Sequence, residues 1–383
     1  MKFQMYGREF KTIIDRIGGI VPKKTVLPIL ETIKITAYDK HVEFQATDTI
    51  NYAAIEVYAN VFENGEVRVS LSDLKKALAI TDDLTITAKD GKLDIRSAKK
   101  SYELPCKDSY DDSWLQFPDT DNNNILLKQQ EKNLVKHLSV INCTRATQQA
   151  NTMMTSFFFD LINQKIVTLD GHRIGIANIH GMFSPNRWNF AVDGSVYNCL
   201  KSLSGKSKDD EKYIEVYADK KYVKFIGEDY TYVTKIVEGV FFDYKKIIDP
   251  CNNQSDYAYK LNPKELLKIS KEYSKVITND NRMPMIFYNE NGNVATGIKM
   301  HDYKTSDIIE SVESEYGMDA QWSVGVNPYF ITDACEAFTN IAEVCGNYNS
   351  RNPIMIKDDI YEFLILPINI TDNDIEFVKR QVA

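Results

Sequence analysis

Glu131-Lys132-Asn133-Leu134-Val135-Lys136-His137-Leu138-Ser139-Val140-Ile141-Asn142-Cys143 reads as a helix-type segment, and strand-type runs follow it at 156–161, 165–169 and 173–179. The same order lies on either side of it. Before it, a helix-type segment at 9–20 precedes alternating runs at 33–38, 41–47 and 52–58. After it, a helix at 263–277 precedes runs at 285–288, 294–300 and 306–312. The pattern is written three times, about 125 residues apart, and such a repeat points to a closed or stacked architecture before any site chemistry is considered.

Each copy runs the pattern twice. A short strand and helix follow at 67–80, 189–203 and 322–339. Three more strands stand behind each: 84–88, 93–97 and 102–104; 213–217, 223–226 and 231–236; 341–345, 354–357 and 361–366. Asp90-Gly91 is a hairpin-turn signal. The predicted fold is α+β, three tandem domains each with two helices packed on antiparallel sheets. A helix in such a unit buries one face on a sheet and leaves the other for something else. The expected boundaries are 1–121, 125–249 and 256–370, with 371–383 as a C-terminal extension. Two stretches rich in Asp, Asn, Ser or Pro, 111–124 and 248–256, read as exposed connections.

A chain of 383 residues is too long for one ordinary core. Its 43% hydrophobic and 26% charged residues are globular values, and 22 Tyr with 18 Phe suit a strand-rich protein. The six cysteines (Cys106, Cys143, Cys199, Cys251, Cys335, Cys345) form no Cys-x-x-Cys pair and no zinc spacing, so a reduced cytoplasmic setting is expected, with no cofactor or metal. No apolar run follows the N-terminal basic residues and none approaches 18 residues, which predicts neither signal peptide nor membrane span.

The net charge of −8 argues against a protein that coats nucleic acid with its whole surface. Local distribution differs. Lys264, Lys268, Lys271 and Lys275 fall within about 40° of one line on a helix, while Leu266, Leu267, Ile269, Tyr273 and Ile277 fall on the other face. Lys132 and Lys136, followed by Arg145, sit on the matching helix of the second copy, and Lys75, Lys76 and Lys201 on the later helices. Lysines without interleaved aromatics suit phosphates, which position a duplex without reading its sequence. Asp15 in the first helix and Asp333 and Glu336 in the last interrupt the basic pattern.

The residues then show a family likeness. Lys23-Lys24-Thr25-Val26-Leu27-Pro28-Ile29-Leu30, a hairpin and Ala46-Thr47-Asp48 resemble the opening of the bacterial DNA polymerase III β subunit, the sliding clamp. Leu169-Asp170-Gly171-His172-Arg173-Ile174 is similar to the family's Thr-Asp-Gly-His-Arg-Leu, and Glu238-Gly239-Val240-Phe241-Phe242-Asp243-Tyr244 to its Glu-Gly-x-Phe-Pro-Asp-Tyr. Tyr361-Glu362-Phe363-Leu364-Ile365-Leu366-Pro367-Ile368-Asn369 resembles its closing strand. Each motif is short; their order and spacing span nearly the whole chain.

The resemblance implies a head-to-tail homodimer closed into a ring around double-stranded DNA without sequence specificity, helices lining the hole. A ring of this kind needs positive potential only inside, which reconciles basic helix faces with a net acidic chain. By family position the subunit contact would join Tyr102 and Leu104 to Val276, Ile277, Ile308 and Ile309. A peptide pocket for short linear motifs of DNA polymerase and clamp loader would be walled by Met154, Leu169, Gly171, His172, Arg173, Ile174, Phe242, Ile247, Leu364, Ile365, Leu366, Pro367 and Ile368. Lys24 and Gln149 match DNA-contact positions, although Thr152 and Met153 replace the aromatic pair expected after Gln149.

Phe242 stands where proline is usual, Asn369 replaces a closing arginine, and the chain continues through Ala383. These departures imply a divergent clamp, a paralogue or mobile-element copy with altered partner preference, whose tail is expected to be disordered, the alternative being that it folds over the pocket. No P-loop, Gly-x-Ser-x-Gly elbow or His-Glu-x-x-His helix is present, so no enzymatic activity is expected. Asp170 and His172 make only a common turn. The alternative is a non-replicative or sequence-preferring DNA-binding scaffold, which would bind short linear DNA directly.

Overall fold

The computed structural model describes residues 1–79, 81–106, 117–120, 124–148, 151–205, 211–277, 283–299, 304–309, 311–316 and 320–379. The ends of some predicted segments (Ile80, Met300, Glu310), most of 111–124, and Gln149 lie outside them.

One order of elements recurs three times. The first copy runs β1 (Lys2–Tyr6), α1 (Gly7–Ile17), β2 (Thr32–Tyr38), β3 (His41–Thr47), β4 (Asn51–Tyr58), β5 (Asn60–Glu63), β6 (Gly65–Ser70), α2 (Leu71–Ala77), β7 (Asp83–Lys89), β8 (Lys92–Arg96) and β9 (Ser101–Pro105). The second runs β10 (Ile125–Gln130), α3 (Glu131–Ile141), β11 (Ser156–Asp160), β12 (Lys165–Leu169), β13 (Arg173–Asn178), β14 (Met182–Phe183), β15 (Phe190–Asp193), α4 (Ser195–Ser204), β16 (Tyr213–Ala218), β17 (Tyr222–Ile226) and β18 (Tyr230–Lys235). After α5 (Lys245–Asn253), the third runs β19 (Tyr257–Leu261), α6 (Pro263–Val276), β20 (Met285–Glu290), β21 (Asn293–Lys299), β22 (Lys304–Ile309), β23 (Glu313–Tyr316), β24 (Ser323–Val326), α7 (Pro328–Cys335), β25 (Ala342–Gly346), β26 (Ile354–Lys357) and β27 (Tyr361–Ile365). Helix α8 (Asp372–Lys379) closes the chain.

Local chemistry sets the element ends. Asn262-Pro263 and Asn327-Pro328 open α6 and α7 alike: each Asn side chain accepts a first-turn N–H, and the proline occupies a position whose N–H has no helical partner. Asp90 and Gly91 both take positive φ, 53° and 72°, as the predicted two-residue hairpin requires.

The chain divides into two compact units, Met1–Lys136 with His180–Glu238, and His137–Ile179 with Gly239–Ala383. In the first, antiparallel strands order as β5-β1-β7-β8-β9 and as β14-β10-β16-β17-β18-β4-β3-β2-β6. The pairing of β18 with β4, Tyr230 opposite Ile55, stitches the second sequence copy to the first. Arg16 of α1 reinforces the join with a two-pronged pair to Asp229 at 2.5 and 2.6 Å. In the second unit the orders are β11-β12-β13-β27-β26-β25-β19-β23 and β22-β21-β20-β24. Here β13 pairs with β27, Ile174 opposite Leu364.

Two expectations are corrected. The 248–256 stretch is not an exposed connection: Ile248 and Cys251 are buried as part of α5, so tertiary packing overrides the loop-like composition around Pro250. Nor are residues 371–379 of the tail disordered. Thr371 and Asp374 cap each other's backbone N–H, and the resulting α8 buries Val378 against β21. The strands that open each copy, β1, β10 and β19, also escaped the sequence reading. No helix among the described residues is long and apolar enough to cross a membrane.

Candidate functional site

The β12–β13 turn holds the site together. Asp170 Oδ1 accepts the backbone N–H groups of His172 and Arg173 at 2.9 and 3.0 Å, folding a tight Asx-type turn. Gly171 sits at φ +88°, and a Cβ there would lie 3.3 Å from the Met154 methyl. The turn is locked to β27 by Leu366 N–H donating to the His172 carbonyl at 2.9 Å.

Arg173 is the turn's anchor. Its Nε donates to Asp170 at 2.9 Å, its Nη1 to Asp333 at 2.6 Å and its Nη2 to the Cys143 carbonyl, while the guanidinium stacks 4.2 Å from the Phe330 ring. Burial works against the charge, and the Asp333 and Asp170 carboxylates outweigh it and hold Arg173 ionised. Burial also pushes the neighbouring Cys143 thiol up to about 12, which leaves it unreactive.

The opposite wall comes from 239–253. Phe241 stacks on Phe158 with ring centroids 4.3 Å apart, and Tyr244 donates to buried Asp160 at 2.7 Å. These two anchors leave Phe242 half exposed, at 50%, on the rim and aim Ile247 of α5 inward. Between the walls lies a cavity of about 370 Å³, lined by Asn151, Met154, Leu169, Gly171, Arg173, Ile174, Phe242, Ile247, Leu364 and Leu366. Its floor is continuous with the unit's core through Leu169, Ile174 and Leu364. With Arg173 already satisfied, the cavity presents apolar surface and a few polar edges, a receptacle for the side chains of an extended peptide.

Nine of the ten lining residues are on the sequence list. Four others on that list do not line the cavity. Ile365 alternates to the other face of β27, His172 stacks outward on Phe330 at 6.4 Å, and Ile368 bridges to Gly325 beside Pro367. Asn151 was missed; its side chain accepts the Met153 N–H at 3.0 Å and caps the 3-10 turn carrying Met154. An Asn before such a turn was the available signal.

The predicted basic residues Lys24, Lys75, Lys76, Lys132, Lys136, Lys201, Lys264, Lys268, Lys271 and Lys275 are all exposed. Among them, Lys76 pairs with Asp73 at 2.6 Å, Lys201 with the Tyr197 hydroxyl at 3.1 Å, and Lys271 with Glu336 of the segment following α7 at 2.8 Å. Asp333 and Glu336, the acids that broke the basic pattern, thus neutralise Arg173 and Lys271.

Of the expected subunit-contact residues, Tyr102 and Leu104 lie on β9 and Ile308 and Ile309 on β22, each an edge strand of its sheet. Leu104 and Ile309 are buried in their own units, whereas Ile308 is 40% exposed. Val276 and Ile277 are half-buried at the end of α6.

Residues 1–112 match the family model for the N-terminal domain of the DNA polymerase III beta subunit. The beta sliding clamp of Chlamydia pneumoniae is 22% identical over 97% of this chain and all of its own length. A putative DNA polymerase III beta subunit from Eubacterium rectale superposes with a TM-score of 0.85 at 20% identity, covering 97% of this chain and 99% of that one. Over nearly its whole length the chain is thus similar to bacterial DNA polymerase III β subunits, and it shares their fold. The Helicobacter pylori beta clamp bound to a DNA ligase peptide shares the fold at a TM-score of 0.79 and 17% identity, over 96% of this chain and all of that one.

Proposed function

We propose that the chain is a processivity clamp: two copies close head to tail into a ring around duplex DNA, and the cavity between the β12–β13 turn and α5 tethers polymerase, clamp loader and repair proteins by short linear motifs. The three domains take the boundaries 1–121, 125–249 and 256–370. The subunit acts in the cytoplasm. The observation that carries the reading is the apolar cavity, built by separate motifs of a clamp-family chain and open at a rim of Phe242 and Leu366. A relative described as bound to a ligase peptide supports the same use.

The exposed lysines serve the duplex through its phosphates, and the unpaired edges of β9 and β22 serve the two ends of the subunit contact. Leu104 and Ile309, buried within one subunit, contribute there through backbone rather than side chains. A fluorescent peptide with Leu and Phe anchors tests the cavity. It should bind the intact chain and lose about tenfold or more in affinity, ~1.4 kcal/mol, on Leu366→Asp. Undiminished binding would remove the cavity from the account.

A further inference from the structure

Helix α8 lies across the sheet that ends in β22, and the side chains there sort by alternation. Val294 and Ile298 of β21, with Ile309 of β22, are buried on the face where Tyr273 of α6 donates to Asp307 at 2.7 Å. Ala295, Gly297 and Lys299 point to the opposite face, as do Ser306 and Ile308, which pair with Gly297 and Ala295. That second face is α8's. Val378 packs with Ile286, Tyr288 and Ala295 as a closed apolar cluster joined by Ile370. Gly297 makes the approach possible: a Cβ built there would fall 2.1 Å from a Val378 methyl. Lys299 pairs with Asp374 at 3.2 Å and lies 4.8 Å over the Phe377 ring, and Lys379 reaches Gln321 at 2.7 Å.

The edge strand β22 is therefore held on one face by α6 and supported on the other by α8, and among the described residues no strand pairs with its outer edge. An edge that must pair with another chain loses affinity to the entropy of ordering itself unless it is fixed beforehand. We infer that α8 is a brace for the subunit contact: by covering the second face of the β20–β22 sheet it presets β22 for pairing with a second copy of this chain. The inference rests on the head-to-tail reading above. It assigns to the C-terminal extension a role in ring stability rather than in the peptide cavity, none of whose lining residues belongs to it.

The test compares the full chain with full-length Val378→Asp and the milder Val378→Ala by sedimentation over a concentration series, alongside amide exchange at Ser306 and Ile308. The brace predicts dimer dissociation constants raised at least tenfold by Val378→Asp and about threefold by Val378→Ala, with faster exchange in β22 and unchanged peptide binding in the cavity. Val378→Ala keeps the test informative if the aspartate variant fails to fold. A folded variant that dimerises like the parent overturns the inference and leaves the subunit reading intact. A parent chain that is monomeric at every concentration overturns both.

Discussion

Asp170, Gly171 and Arg173 show how a turn that resembles catalytic machinery is instead structural. The Asp170 carboxylate accepts from two backbone N–H groups and from Arg173, and the His172 ring faces Phe330. Gly171→Val forces a β-branched residue into positive φ and onto Met154; it should lower peptide affinity at least tenfold in a fluorescence titration while the fold persists. Arg173→Ala strands Asp170 and Asp333, and chemical denaturation should show a loss of ~2–3 kcal/mol, only partly recovered by Arg173→Lys, which lacks the fork. A third residue-scale prediction concerns Glu43, directly opposite Glu56 on β3 and β4. Burial, and then the Glu56 charge, raise the Glu43 carboxyl above its ordinary 4.5. A raised carboxyl favours the fold below pH 4.5 and that advantage is lost as pH rises through its folded value. Glu43→Gln should therefore raise the melting temperature at pH 7 to 8 and leave it unchanged near pH 4.

At the scale of elements, the sequence pattern revealed most of the fold and half-hid the rest. Alternation exposed the long hairpins, and helical spacing exposed the lysine line on α6, because both periods are strong where one face is buried and the other is wet. The opening strands are short: β1 and β10 run straight into α1 and α3, and only Asn262 parts β19 from α6, so their period never separates from the helix behind them. Helix α5 was obscured by Pro250 and its Asn-rich end, and α8 by its terminal position, although Thr371-Asp372-Asn373-Asp374 is a capping signature. The cavity was legible through its motifs. What the motifs did not show was which residues of a strand face inward, as Ile365 and Ile368 illustrate. The acids of the last helix region, out of place in the sequence, find their reason in the pairs Arg173–Asp333 and Lys271–Glu336. Glu336→Gln releases Lys271 at an exposed pair worth little to stability, so the melting temperature should hold. If that helix face meets DNA, the slope of log affinity against log salt should steepen by about one charge, with binding stronger at low salt.

For the whole molecule, one arrangement of nine strands and two helices is used three times, and copies are joined by sheet pairing at β18–β4 and β13–β27. Within each unit the join is thus made by backbone hydrogen bonds of one continuous sheet. In the proposed ring, the net charge of −8 would repel stray nucleic acid outside while exposed lysines supply local positive potential. The proposed function is topological: two copies would hold DNA by enclosing it, not by recognising it. The most direct measurement loads the protein with a clamp loader onto nicked circular DNA, then follows retention at 0.5 M salt before and after a restriction enzyme opens the circle. The account predicts long retention on the circle and rapid loss once the ends are free, restored by blocking those ends. Equal retention on circular and open linear DNA, or a preference for one short sequence, would contradict it.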